Sequence, residues 1–134
     1  MHFIVDRKPL FQEEDFVSHA GIPLKWKIEC DAIMEEEWDC LALMIHEKSG
    51  GICREAVGIP RGGVPLADAI NKRFATGKDE DYIFVVDDVY TTGKSFLDFR
   101  KKHYPNTIQG RIKQWCVFSR KPTENGVQSL FTMN

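Results

Sequence analysis

Leu24, Trp26 and Ile28 alternate with Lys25 and Lys27, the period-two pattern of a strand with one buried face, and this sets both lysines on one side. Ahead of it, residues 1–23 read as an irregular opening: a short apolar strand at 3–5, an acidic segment, and the loop Ser18-His19-Ala20-Gly21-Ile22-Pro23. Trp38, Leu41, Ala42 and Ile45 then fall at helical spacing behind Glu35, Glu36 and Glu37, which predicts a helix over about 34–48 ended by Gly50-Gly51. Carboxylates in a first turn favour the helix dipole, which accounts for the three glutamates without a metal or general-base role.

Residues 54–59 read as a short strand that runs into the turn Pro60-Arg61-Gly62-Gly63-Val64-Pro65, followed by a helix with Leu66, Ala67, Ile70 and Phe74 on one side. After a polar link at 76–81, Tyr82-Ile83-Phe84-Val85-Val86 is apolar on both faces, as in a central parallel strand covered by helices on each side. It ends at Asp87-Asp88. The segment Val89-Tyr90-Thr91-Thr92-Gly93-Lys94-Ser95 leads into a helix carrying Phe96 and Phe99 and broken by Pro105, before an apolar strand at about 112–118. Two strand-loop-helix units in succession imply an α/β fold with a mainly parallel central sheet flanked by helices. No repeat, linker or boundary interrupts the chain, so residues 1–134 are expected to form a single domain.

Composition narrows the function classes. With 134 residues, 43% hydrophobic and 28% charged, the chain suits a globular protein with one core and not a disordered or collagen-like one. Lys plus Arg number 18 against 20 Asp plus Glu, a net charge of -2 that lacks the excess basicity of phosphate-backbone binders, so no nucleic-acid partner is expected. The apolar run at 41–45 falls far short of the ~20 residues that span a bilayer, and the first residues lack a basic region leading into a long apolar one. No membrane association and a cytoplasmic location are therefore expected. Cys30, Cys40, Cys53 and Cys116 show no C-x-x-C pair, and their apolar or amphipathic settings suggest buried free thiols.

The chemistry is concentrated after the central strand. A loop of successive N–H groups with glycine and hydroxyl donors, opening a helix, is a concave anion site, whereas Asp87 and Asp88 would repel a phosphate and suit sugar hydroxyls. A ribose phosphate satisfies both halves. Gly93-Lys94-Ser95 copies the end of a P-loop, but the first glycine of that motif should stand at position 88, which is Asp, and the match fails.

The whole segment Phe84-Val85-Val86-Asp87-Asp88-Val89-Tyr90-Thr91-Thr92-Gly93-Lys94-Ser95 resembles the phosphoribosyl diphosphate (PRPP) motif of type I phosphoribosyltransferases, with Tyr90 where an aliphatic residue is usual. The resemblance implies that Asp87 and Asp88 hold the ribose 2′ and 3′ hydroxyls as the catalytic acids. Val89, Tyr90, Thr91, Thr92, Gly93, Lys94 and Ser95 would complete the ribose and 5′-phosphate site. Gly58-Ile59-Pro60-Arg61-Gly62-Gly63-Val64-Pro65 is similar to the family's pyrophosphate loop, with Pro60, Arg61, Gly62 and Gly63 as the binding residues.

Within the family the orotate branch is nearest in character. Residues 18–31 resemble the hood loop and strand that precede its core, Lys25 and Lys27 are candidates to meet the base, and Ser119-Arg120 resembles an Asp-Arg pair that contacts it, making Arg120 a third candidate. One departure stands out. Family members place a further strand and a long mobile lid between the pyrophosphate-loop helix and the PRPP strand, and here only about seven residues remain.

The implied activity is transfer of ribose 5-phosphate from PRPP to a nucleobase or related nitrogen heterocycle, with release of pyrophosphate. Mg2+ would be the cofactor, held by substrate oxygens and water near Asp87 and Asp88 with no direct protein ligand set. A homodimer is implied. The alternative is a regulatory protein that binds PRPP or a nucleotide without turnover, the lid having been lost.

Overall fold

The computed structural model describes residues 10–17, 23–106 and 111–133, with side chains from Glu29 onward within those ranges. Its chain divides into two compact units, Met1–Met34 and Glu35–Asn134.

In the first unit, strand β1 (Phe11–Val17) pairs antiparallel with β2 (Pro23–Ile28), Phe11 opposite Ile28, with an irregularity between Glu13 and Phe16. Strand β2 lies where the alternation predicts it. Strand β1 was not predicted, because Glu13, Glu14 and Asp15 mask any apolar face. A 3-10 turn at Cys30–Ala32 follows, its Asp31 N–H donating to Glu29 Oε1 at 3.2 Å. The expected strand at 3–5, the loop at 18–22 with His19, and the side chains of Trp26, Lys25 and Lys27 lie outside the described residues.

The second unit begins with helix α1 (Glu35–Ser49), which carries the three glutamates in its first turn, His46 and Lys48 in its last, and stops at left-handed Gly50 and Gly51. Strand β3 (Cys53–Gly58), helix α2 (Val64–Arg73), strand β4 (Tyr82–Tyr90), helix α3 (Lys94–His103), strand β5 (Ile112–Ser119) and strand β6 (Val127–Thr132) complete it. The four strands form one all-parallel sheet in the order β3-β4-β5-β6. Helix α1 packs on α2, and α2 on β3 and β4. Phe96 and Phe99 of α3 form a core with Val85, Tyr90, Ile112, Cys116 and Val127.

Trp38, Ala42, Ile45, Leu66, Ala67 and Ile70 are buried, as their helical spacing requires. Trp115 is a core residue. All four cysteines are free, but only Cys53 and Cys116 are buried; Cys30 is half-buried and Cys40 exposed, which corrects the expectation of four buried thiols. Cys40 falls between the buried positions of α1, where period alone does not separate flank from face.

Strand β6 was not foreseen. Parallel neighbours ordinarily need a crossover of a dozen residues or more, yet β5 reaches β6 through residues 120–126 alone. Seven extended residues span up to roughly 25 Å, enough to run back along a six-residue strand of about 20 Å. Consecutive left-handed residues, Asn125 (φ 57°) and Gly126 (φ 77°), then turn the chain into β6.

The other edge, β3, is closed from within. Ala56 N–H donates to Asn71 Oδ1 at 2.7 Å, and Asn71 Nδ2 donates to the Ala56 carbonyl at 2.8 Å, so a side chain of α2 stands in for a neighbouring strand. Thr76 N–H and Gly77 N–H continue the pattern, donating to the Cys53 and Arg54 carbonyls at 2.9 and 3.0 Å. The link between α2 and β4, where the family's further strand and lid would lie, thus contains no strand and instead seals the edge. Asn71→Leu, which strips both hydrogen bonds from Ala56, is expected to cost about 2 kcal/mol in urea unfolding with little change in m-value.

Candidate functional site

Adjacent parallel strands bring the two motifs together. The turn after β3 and the acid pair near the end of β4 meet at the carboxyl ends of the strands, where open α/β sheets place their ligands. Ile59 N–H donates to the Val86 carbonyl at 2.9 Å, carrying the pairing one residue beyond β3 into the loop. The loop then closes on itself, Gly63 N–H donating to the Ile59 carbonyl at 2.9 Å and Val64 N–H to the Arg61 carbonyl at 3.2 Å. The Pro60–Arg61 peptide is cis.

Glycine is needed at Gly62 and Gly63 for proximity. A Cβ on Gly62 would meet the Asp88 carboxylate, and one on Gly63 would meet the Val86 carbonyl and lie 3.0 Å from Asp87 Cα. Residues 26 positions apart in sequence thus form one surface: the backbone of the first loop lies directly against the acids of the second motif. Pro60 and Arg61 are exposed at its rim.

Strand β4 runs through Tyr90 and does not stop before the acids, so Asp87 and Asp88 belong to the sheet. Asp88 N–H donates to Asp87 Oδ1 at 2.8 Å, and Val89 N–H to Asp88 Oδ1 at 2.7 Å. Asp87 is buried and Asp88 half-buried. Burial first, then the neighbouring Asp88 charge, hold the Asp87 carboxyl well above the usual carboxylate range. The same burial pushes the neighbouring Cys116 thiol up to about 12, with the two aspartates adding to the shift.

The Thr-Thr-Gly turn stands at the start of α3. Gly93 has φ 84° and opens α3, whose first turn carries no acid. Thr92 Oγ1 accepts from Lys94 N–H at 3.3 Å. Thr92, Lys94 and Ser95 are exposed, Thr91 is half-buried and Gly93 is buried. The Lys94 ammonium is drawn to Asp98 Oδ2, 2.5 Å away, and lies along the helix.

Tyr90 was expected among the residues of the ribose and 5′-phosphate site. It is 2% exposed, too buried for its ring to line the site. It supports the turn from beneath: its hydroxyl lies under Gly93 and accepts from Glu124 N–H at 3.2 Å, while its carbonyl accepts from Arg120 N–H at 3.1 Å. Arg120, half-buried, is thereby fixed beside the end of β4. The sequence analysis missed the partner in this support, the link at 120–126; its signal was a tyrosine where the motif usually has an aliphatic, a hydroxyl that needs a partner once buried.

This is the phosphoribosyltransferase fold. An orotate phosphoribosyltransferase from Aeropyrum pernix superposes with a TM-score of 0.69 at 19% identity, over 92% of this chain and 88% of that one. UMP synthase of Leishmania donovani gives 0.71 at 12% identity, over 92% of this chain and 33% of that one, and a phosphoribosyltransferase from Corynebacterium diphtheriae gives 0.64 at 12% identity, over 82% and 84%. No family model and no curated protein sequence matches the chain. Among the described residues no helix is long and apolar enough to cross a membrane.

Proposed function

We propose that the protein is a PRPP-dependent phosphoribosyltransferase acting on a nucleobase or related nitrogen heterocycle. The observation that carries this reading is the seating of Gly62 against the Asp88 carboxylate, which makes the glycine loop and the acid pair two walls of one site. Pyrophosphate would lie on the backbone of residues 60–63 with Arg61 at its edge. Asp87 and Asp88 would hold the ribose hydroxyls, and Thr91 to Ser95 the 5′-phosphate. Lys25, Lys27 and Arg120 are the candidates for the base.

In the reaction the bond from ribose C1′ to the pyrophosphate oxygen breaks, a bond from C1′ to the acceptor nitrogen forms, and that nitrogen loses its proton. The transition state is oxocarbenium-like, so the protein acts by positioning and by stabilising charge. The donor set fits magnesium in one way. Among the described residues no group of three or more His, Cys, Asp or Glu forms a cage, whereas two adjacent carboxylates, the buried one with its pKa raised by burial and then by the other's charge, would be relieved by a nearby cation. Substrate oxygens and water would supply most of the coordination, with Asp87 and Asp88 at its edge. When bound, the ion offsets charge on the departing pyrophosphate.

With no lid hairpin between α2 and β4, water must be kept from the cationic centre by the first unit, by the tail or by the second subunit of a homodimer. The absence of that hairpin also favours the second reading, a PRPP or nucleotide sensor. The test is pyrophosphate release from Mg-PRPP with purine, pyrimidine and orotate-like acceptors, beside equilibrium binding of Mg-PRPP. Acceptor-dependent release that falls at least ~100-fold in Asp88→Asn, with the fold intact by circular dichroism, supports the transferase. Tight PRPP binding with no release from any acceptor supports the sensor, and no binding overturns both.

A further inference from the structure

Between α3 and the link from β5 to β6 lies a cleft of about 210 Å3, with Tyr90 and Gly93 of the phosphate turn in its wall. Asp87, Asp88 and the pyrophosphate loop are not part of it, so it lies behind the turn and apart from the proposed reacting centre. Phe96, Leu97 and Val127 give it an apolar floor. Its polar groups are unevenly signed: Arg100 and Lys101 from α3 stand against one acid, Glu124.

One of those groups lacks a partner. Arg100 Nε is buried without a hydrogen bond, whereas nearly all buried donors in folded proteins have one. Gln114, buried in the same wall, is engaged, its Nε2 donating to the Asn125 carbonyl at 2.9 Å. The missing component is therefore an acceptor, and a negatively charged one suits the local excess of cations. Water would satisfy the donor but would gain nothing from the apolar floor. An anion with an apolar body satisfies both.

We propose that this cleft is an effector site for a small organic carboxylate, with its charge on Arg100 and Lys101 and its body over Phe96, Leu97 and Val127. Size sets the class. A cavity of ~150 Å3 holds a benzene, whereas drug-sized ligands need roughly 300 Å3 or more, so 210 Å3 suits a single ring or short chain. Because Tyr90 and Gly93 stand in the cleft wall, a ligand packed into it braces the turn and strengthens phosphate binding there, and the coupling is reciprocal.

The test uses the full chain without PRPP, so it stands or falls independently of the transferase reading. Titration with benzoate, followed by amide and arginine Nε–H resonances, is expected to give saturable shifts at Gly93, Leu97, Arg100 and Asn125. Benzyl alcohol, of the same size and uncharged, should bind at least about tenfold more weakly, and Arg100→Gln should weaken benzoate by about tenfold. Lys101→Gln, at an exposed position, provides a second variant with a loss of roughly threefold should Arg100→Gln unfold. Inorganic phosphate should move the residues of the turn, and saturating benzoate should tighten that binding. Benzoate shifts elsewhere only, equal affinity for benzyl alcohol, an unchanged affinity in both variants, or no binding at all would each overturn the proposal.

Discussion

Asp87→Asn is expected to stabilise the ligand-free protein at neutral and alkaline pH while removing the ribosyl transfer proposed for the site. Asp87 has a folded-state pKa raised above its unfolded value of ~3.9, by burial first and by Asp88 second. A group of this kind contributes stability in its protonated form. The contribution is fully present below the unfolded pKa and is lost as pH climbs through the raised folded value. Urea midpoints of the native chain should accordingly decline from about pH 4 upward, and the decline should flatten in Asp87→Asn. Asparagine keeps an oxygen for the Asp88 N–H and has no charge to neutralise. At pH 8 the variant should be more stable by at least about 1 kcal/mol, the worth of a single pKa unit. Under the proposed function its transfer rate should nonetheless fall ~100-fold or more, because the charge that is costly in the empty site would meet the developing positive charge on the ribose. A variant no more stable than the native chain at pH 8 would show that burial of Asp87 carries no such cost.

Gly63→Ala and Gly62→Ala should separate stability from function at neighbouring positions. A methyl at Gly63 meets backbone on every side: the Val86 carbonyl, Ile59 N at 2.8 Å and Asp87 Cα at 3.0 Å. Its φ of -80° suits alanine, so the obstacle is purely steric. Neither strand can retreat without breaking the pairing of β3 with β4, and a loss of about 3 kcal/mol or more is expected in thermal or urea unfolding. The three atoms nearest a methyl at Gly62 all belong to the Asp88 carboxylate, a side chain that can turn away. That variant should lose no more than about 1 kcal/mol, yet PRPP binding should weaken about tenfold or more because the turned carboxylate would leave the ribose hydroxyls it is proposed to hold. Equal destabilisation by the two alanines would contradict the close fit described for Gly63.

How much of this was legible in the sequence depends on the range of the forces involved. The run at residues 82–86 is apolar on both faces, and only a strand covered on both sides satisfies that pattern, so the centre of the sheet could be read directly. The glycine turn after β3 and the turn that opens α3 could be placed too, because glycine, hydroxyl and acid residues at fixed spacing are a local signal. Strand β1 could not, since its acidic middle conceals the alternation, and β6 could not, since a seven-residue link lacks the length expected of a parallel crossover. The support of the phosphate turn by Tyr90 depends on Glu124, 34 residues away, and the raised pKa of Asp87 depends on packing around it. Pairings across such separations leave no periodic trace. Lys25 and Lys27 share a strand as read, but their part in base recognition rests on side chains outside the described residues.

The sealing of β3 by Asn71 and the 76–77 turn also bears on how this sheet fares among other unfolded or partly folded chains. A bare strand edge is a template for any passing strand, and proteins commonly guard it with charge, proline or a bulge. Here the guard is a carboxamide held by a helix of the same domain, so it is in place only once α2 has docked on β3. Until then the edge is open to a second molecule. Asn71→Leu chains should therefore aggregate faster during refolding than their equilibrium stability alone implies, with the excess growing as protein concentration rises.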